Sequence, residues 1–154
     1  MVSTSGARLL KRSAIDLLKE ELLPLATLVT PNLDEAQIIV GHDLKSVEDL
    51  RRAAKEIHRR FGCAALVKGG HLRRGKEAVD IFYDGQTELL LTAPFIKGVS
   101  THGTGCTCSA AVTGFLALGC CLPDAVASAK EYITQAIAQH QAAAAHSVLN
   151  SFWR

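Results

Sequence analysis

The chain reads as an α/β layered domain. Two short apolar runs, residues 26–30 and 64–68, have strand length and are separated by helix-patterned sequence, which predicts parallel strands joined by a helical crossover. A further pair of strands, 78–83 and 88–93, meets at Asp84-Gly85, a strong hairpin signal. Two helix-patterned stretches with no strand between them follow.

Taken in order, residues 9–23 are expected to form the first helix. Leu10, Ala14, Leu17, Leu18 and Leu22 are its core stripe, and Pro24 is its stop. The strand over 26–30 ends at Pro31-Asn32, and a brief helix over 34–40 closes at Gly41. Ser46 caps a longer helix with Glu48 and Asp49 in its first turn, where the helix dipole favours acids. Its core stripe is Val47, Leu50, Ala54, Ile57 and Phe61. The basic run Arg51, Arg52, Lys55, Arg59 and Arg60 falls largely on the opposite face, read as a solvated surface in preference to a phosphate patch. Gly69-Gly70 breaks the strand over 64–68. The penultimate helix runs from about Gly105 to Leu118 and ends at Gly119. The last starts at Pro123 with the stripe Val126, Ala129, Ile133, Ala136 and Ile137. The tail, 141–154, keeps helical composition as far as Ala145. Only one helical crossover between buried strands lies in the chain, so its parallel sheet is short, and residues 2–6 read like an interior loop.

Composition narrows the function. The 154 residues suit a single domain over 1–154 with a real core. Seventeen basic against 15 acidic side chains, formally +2, lack the basic excess of a dedicated nucleic-acid binder. No run approaches the ~18 apolar residues of a membrane span, and the first residues lack a signal-peptide layout. A cytoplasmic location is expected. The five cysteines include no C-x-x-C pair, which argues against a disulfide framework or a four-cysteine zinc site. Cys63, Cys108, Cys120 and Cys121 are read as small buried hydrophobes.

Three stretches could carry chemistry. In "STHGTGCTCS", Gly103-Thr104-Gly105-Cys106 opens a helix. Glycines permit close backbone approach, and the first N–H groups of a helix have no internal partners, so this turn can form an anion hole. It is neither the Walker pattern nor G-x-G-x-x-G, and a plain helix start is the competing reading. Cys106 would lie in the first helical turn, where the dipole favours a thiolate that could serve as a base. A cysteine nucleophile would want a base such as His102, and nothing supplies a third orienting group. At the end of the first strand, Asn32 and Glu35 offer oxygens suited to a hydrated Mg²⁺; taken alone, they read slightly better as an N-cap and its capping-box partner. At the end of the second, Lys68 could be a phosphate point charge, with Gly69-Gly70 allowing close approach; its plainer reading is a snorkelling strand-end lysine. Strand ends are where open α/β sheets bind ligands. The shared theme is phosphate with magnesium.

"VTPNLDEA", "ALVKGGH", "DIFYDG" and "THGTGCT" followed by a small-residue helix closely resemble the hydroxymethylpyrimidine/phosphomethylpyrimidine kinases of thiamine biosynthesis, of the ribokinase-like superfamily. The resemblance runs from about Leu9 to Ala138. It implies a ribokinase-like three-layer α/β fold and ATP-dependent phosphorylation of hydroxymethylpyrimidine or its monophosphate. Asn32 and Glu35 match an N-x-x-E motif that organises Mg²⁺ and phosphate, the metal being held through water. Gly103, Thr104, Gly105 and Cys106 match the anion hole, with Cys106 at the position of the catalytic base. Lys68, with Gly69, matches a lysine near the phosphates, and Thr101 would lie near the nucleotide. Partners implied are ATP and a small pyrimidine, with neither nucleic acid nor membrane, in a homo-oligomer that is a dimer in the family. Chains of the family are nearly twice as long, so a truncated form lacking the N-terminal strands and the residues that grip the pyrimidine is expected. Two alternatives stand beside this one: an inactive fragment that only binds nucleotide or a partner chain, and a hydroxyethylthiazole kinase-like enzyme.

Overall fold

The computed structural model describes residues 10–70, 72, 77–96, 99, 103–143 and 146–153. Residue contacts divide the chain into two compact units, Met1–Thr92 and Ala93–Arg154.

The first unit opens with α1 (Arg12–Leu17), which runs into a π-helical turn (Leu18–Leu22) and a 3₁₀ turn (Leu23–Leu25). Strand β1 (Leu28–Val29) leads to α2 (Leu33–Val40) and α3 (Val47–Phe61), and β2 (Ala64–Lys68) follows. Strands β3 (Glu77–Tyr83) and β4 (Glu88–Pro94) complete a sheet of order β1-β2-β3-β4. β1 pairs parallel with β2, and β3 pairs antiparallel with it. The crossover of α2 and α3 between the parallel strands is the expected one.

Alternation along the strands sorts the sheet's two faces. Ala65, Val67 and Ile81 join Ala36, Ile39, Leu50, Ala54 and Ile57 in one buried cluster under α2 and α3. Leu66 and Phe82, opposed across β2 and β3, are buried on the other face. The α3 stripe is as expected at Leu50, Ala54 and Ile57, all fully buried, with Ala53 added. Its start is fixed by Ser46, whose Oγ accepts the Asp49 N–H at 3.1 Å. The basic face is solvated and paired: Arg51 and Lys55 meet Glu88, Arg52 meets Asp49, and Arg60 meets Glu56.

Two expectations fail here. Of the stripe expected over 9–23, Leu17 and Leu22 are each 59% exposed, and the residues that bury are Ile15 and Leu23. Within α1 the buried face is already that of Ile15 and not of Leu17, and beyond it the π turn shifts the phase further, so a stripe counted at 3.6 residues per turn also misplaces Leu22. The first strand shrinks from 26–30 to β1's two residues. At the hairpin, Asp84 Oδ1 accepts the N–H groups of Gln86 at 2.9 Å and Thr87 at 2.6 Å, an Asx turn that closes the corner.

Helix α2 is tied at both ends. Its last carbonyls receive cations from other elements: Lys19 Nζ donates to Ile38 O at 2.6 Å, and Arg60 donates to Ile39 O at 3.3 Å. Both groups satisfy carbonyls that a helix C-terminus leaves open and complement its dipole.

The second unit holds α4 (Thr104–Ala117) and α5 (Leu122–Ala138), which pack on each other; Cys108 and Val112 of α4 and Val126, Ala129 and Ile133 of α5 are buried. The stripe of α5 is buried as expected at Val126, Ala129, Ile133 and Ala136. The tail differs. Helix stops at Ala138, and β5 (Gln141–Ala143) pairs antiparallel with β6 (His146–Val148). Alanine-rich composition favours helix locally, and strand pairing overrides it.

Candidate functional site

Asn32, Glu35 and Lys68 are brought together by the ends of β1 and β2. Just past β1, Asn32 forms a parallel bridge with Lys68, the last residue of β2, and the Lys68 N–H donates to Pro31 O at 2.9 Å. From there Asn32 starts α2. Its Oδ1 accepts the Glu35 N–H at 2.9 Å, while Glu35 Oε2 accepts the Asn32 N–H at 3.1 Å. Both halves of a capping box are therefore present. The plainer of the two expectations for this pair is what the side chains do.

Capping also fixes electrostatics. Half-burial pushes the Glu35 carboxyl up, whereas the Asn32 N–H and the nearby charge of Lys68 pull it down; the outcome lies below the ordinary carboxylate value. An anionic carboxylate and an amide oxygen, held at a strand end beside a lysine, are the hard donors a hydrated Mg²⁺ accepts, and it needs few of them. The donor set fits that ion.

Gly69 is set by close approach. Its N–H donates to Val79 O at 2.9 Å and to Asp80 Oδ1 at 3.1 Å. A Cβ there would overlap Leu50 Cδ1 and lie 2.6 Å from Val79 O. Gly69 is buried, so its visible task is packing the turn after Lys68.

In the second unit, Gly103 is the N-cap of α4 with φ +84°, a left-handed conformation that disfavours any side chain. Thr104, Gly105 and Cys106 form the first turn. A glycine offers no capping oxygen, and α4 has no N-cap side-chain hydrogen bond. Cys106 is exposed. Thr101 and His102 lie outside the described residues.

The other cysteines split. Cys63 and Cys108 are buried, and burial pushes the Cys63 thiol up. Cys121 corrects the expectation: it is exposed at the N-cap of α5, with Sγ 3.1 Å from Asp124 Oδ2. The thiol donates to that carboxylate and caps no backbone N–H of the helix.

Sequence reasoning passed over Asp80. The signal available was an acid inside the otherwise apolar run of 78–83.

The family model for phosphomethylpyrimidine kinase matches residues 1–150. The chain belongs to that family. The hydroxymethylpyrimidine/phosphomethylpyrimidine kinase of Rhizobium meliloti is 49% identical over 138 residues, which cover 89% of this chain and 52% of that protein. Among solved structures, an ADP complex of Bacillus subtilis pyridoxal kinase superposes with a TM-score of 0.85 at 39% identity, covering 93% of this chain and 56% of the other. The phosphomethylpyrimidine kinase of Clostridium difficile 630 gives 0.73 at 39% identity, covering 89% and 54%. These likenesses bear out the ribokinase-like α/β fold expected from the sequence. The chain spans about half the length of these members of the phosphomethylpyrimidine kinase family and its structural neighbours. Among the described residues, no helix is long and apolar enough to cross a membrane.

Proposed function

We propose that the protein serves ATP-dependent phosphorylation of hydroxymethylpyrimidine, of its monophosphate, or of both, in thiamine diphosphate biosynthesis. The observation that carries this reading is the strand-end corner of Asn32, Glu35 and Lys68 in a chain of the phosphomethylpyrimidine kinase family. In this reading Lys68 places a positive charge against the phosphates of ATP, and Gly69 lets the turn beside it pack closely. By the family resemblance, Thr101 would belong to the nucleotide site. The backbone N–H groups of Gly103, Thr104, Gly105 and Cys106 stabilise charge developing on the transferring phosphoryl group. Cys106, as thiolate, takes the proton from the primary hydroxyl of the pyrimidine as that oxygen attacks the γ-phosphorus and the bond to the leaving ADP oxygen breaks. In a second transfer the attacking group is a phosphate oxygen, already ionised near neutral pH, and no base is needed. Asn32 and Glu35 would hold Mg²⁺ through water, and the ion would supply positive charge for the phosphates. The partners are ATP and a small pyrimidine, with neither nucleic acid nor membrane, and the setting is a cytoplasmic homodimer.

The likeness to the B. subtilis pyridoxal kinase, 39% identical at a TM-score of 0.85, favours a second substrate class, a pyridoxal-like hydroxymethyl pyridine. A coupled ADP-release assay with hydroxymethylpyrimidine, its monophosphate and pyridoxal tests both. Turnover with either pyrimidine is expected. Faster turnover with pyridoxal would replace the substrate, and ATP binding without turnover on any acceptor would leave the inactive nucleotide-binding reading.

A further inference from the structure

We propose that Asp80 is a positioning residue for Lys68, acting through the turn that follows the lysine and through its own charge. The inference rests on the reading of Lys68 as a phosphate-contacting cation.

Asp80 is 8% exposed, the one charged side chain among the described residues that is buried. A carboxylate in such a place is costly unless donors or an opposite charge meet it. One donor is the Gly69 N–H, 3.1 Å from Oδ1 in a fully buried bond. Because the same N–H reaches Val79 O at 2.9 Å, β3 grips the first residue after Lys68 twice. The turn continues with the Leu72 N–H on Gly69 O at 2.8 Å. The missing Cβ of Gly69 is what allows this grip, since any side chain would strike Leu50 and Val79.

Register supplies a second, independent observation. Lys68 and Asp80 are directly opposed across β2 and β3. Opposed residues of an antiparallel pair share a face, with Cβ atoms roughly 5 Å apart. On that face the preceding pair is Leu66 with Phe82, both buried. The face thus changes from apolar to charged within one step, at the end of β2 where Asn32 bridges to Lys68. An acid opposite the lysine across the ladder, anchored to the next residue's backbone, holds the turn on which Lys68 sits.

Calorimetric titration of ADP into the wild-type chain, Lys68→Ala, Asp80→Ala, Asp80→Asn and the two double variants with Lys68→Ala tests this. Lys68→Ala is expected to weaken ADP about tenfold, the scale of a charged hydrogen bond. Asp80→Ala should weaken it about as much alone and add little in the Lys68→Ala background, since the two losses share one cause. Asp80→Asn keeps an oxygen for the Gly69 N–H but loses the charge, and is expected to weaken ADP about threefold, again without adding to Lys68→Ala. Should Asp80→Ala not fold, as its melting curve would reveal, the Asparagine pair decides by the same criterion. If Lys68→Ala binds ADP as the wild type does, the phosphate reading falls and takes this inference with it. If Lys68→Ala weakens binding but the aspartate variants add their full loss on top, Asp80 has a merely structural role and only the inference is overturned.

Discussion

The strand-end corner of Asn32, Glu35 and Lys68 and the helix-start corner of Gly103 to Cys106 are both read as places for phosphate, yet they are built in opposite ways. At the first, backbone and side chains satisfy each other: the capping box uses one oxygen from each partner, and the Lys68 N–H is taken by Pro31. At the second, the cap is a glycine with no oxygen to offer. A helix that caps itself has spent leading donors on its own side chains. One that starts on glycine spends none of them on an N-cap side chain. The first corner therefore holds Asn32 and Glu35 in place through a capping box, whereas the second begins its helix without a side-chain cap.

Four measurements can break or sharpen this contrast. The largest effect belongs to the open corner. Cys106→Ala is expected to slow the first phosphorylation by about 10²–10⁴-fold, the usual contribution of a general base, and to spare the second. Steady-state rates on hydroxymethylpyrimidine and its monophosphate make the comparison; equal losses on both would remove Cys106 from the role of base.

Next come two glycines with different reasons for being glycine. Gly69→Ala forces a Cβ into Leu50 and Val79, an overpacking worth about 1–3 kcal/mol. Gly103→Ala meets no atom within 4 Å and costs the left-handed backbone alone, about 1 kcal/mol. Urea unfolding midpoints should fall in that order, and the reverse order would contradict the packing described for the Lys68 turn. Asn32→Ala removes the α2 cap and should cost about 1 kcal/mol, read from the same curves.

The smallest effect is a pH dependence. The N–H of Lys45 and the hydroxyl of Ser46, with Arg52 adding, lower the Asp49 carboxyl from 3.8 to about 2. A carboxyl depressed on folding contributes fully above its unfolded pKa, and the contribution disappears as pH falls through the folded one. The melting temperature should therefore decline between about pH 4 and pH 2, and Asp49→Asn should flatten that part of the curve. An unchanged acid limb in Asp49→Asn would show that the start of α3 does not depend on the carboxylate.

How much of this was legible in the sequence depends on how far each feature reaches. The α2 capping box lies within Asn32 to Glu35, so its partners are neighbours in the chain and the motif can be read directly. The stripes of α3 and α5 repeat often enough to fix their faces. The π turn at Leu18–Leu22 has no comparable mark, and it shifts the phase at Leu22, which the count assigned to the core. Pairing of β5 with β6 overrides a local preference for helix, which composition alone cannot foresee. Asp80 gains its meaning from a register with Lys68 that exists only once β2 and β3 pair. Cys106, by contrast, was marked by its place after Gly103 and Gly105, and the structure puts it in the expected first turn, exposed.

The two cations on the last carbonyls of α2 have a mechanical consequence. With Lys19 on Ile38, Arg60 on Ile39 and the capping box at the other end, neither terminus of this short helix is at liberty to fray. Such a segment cannot absorb a push by unwinding; it tilts or slides as a rod. The position of Asn32 is thereby linked through one short helix to Lys19 on one side and to Arg60 of α3 on the other.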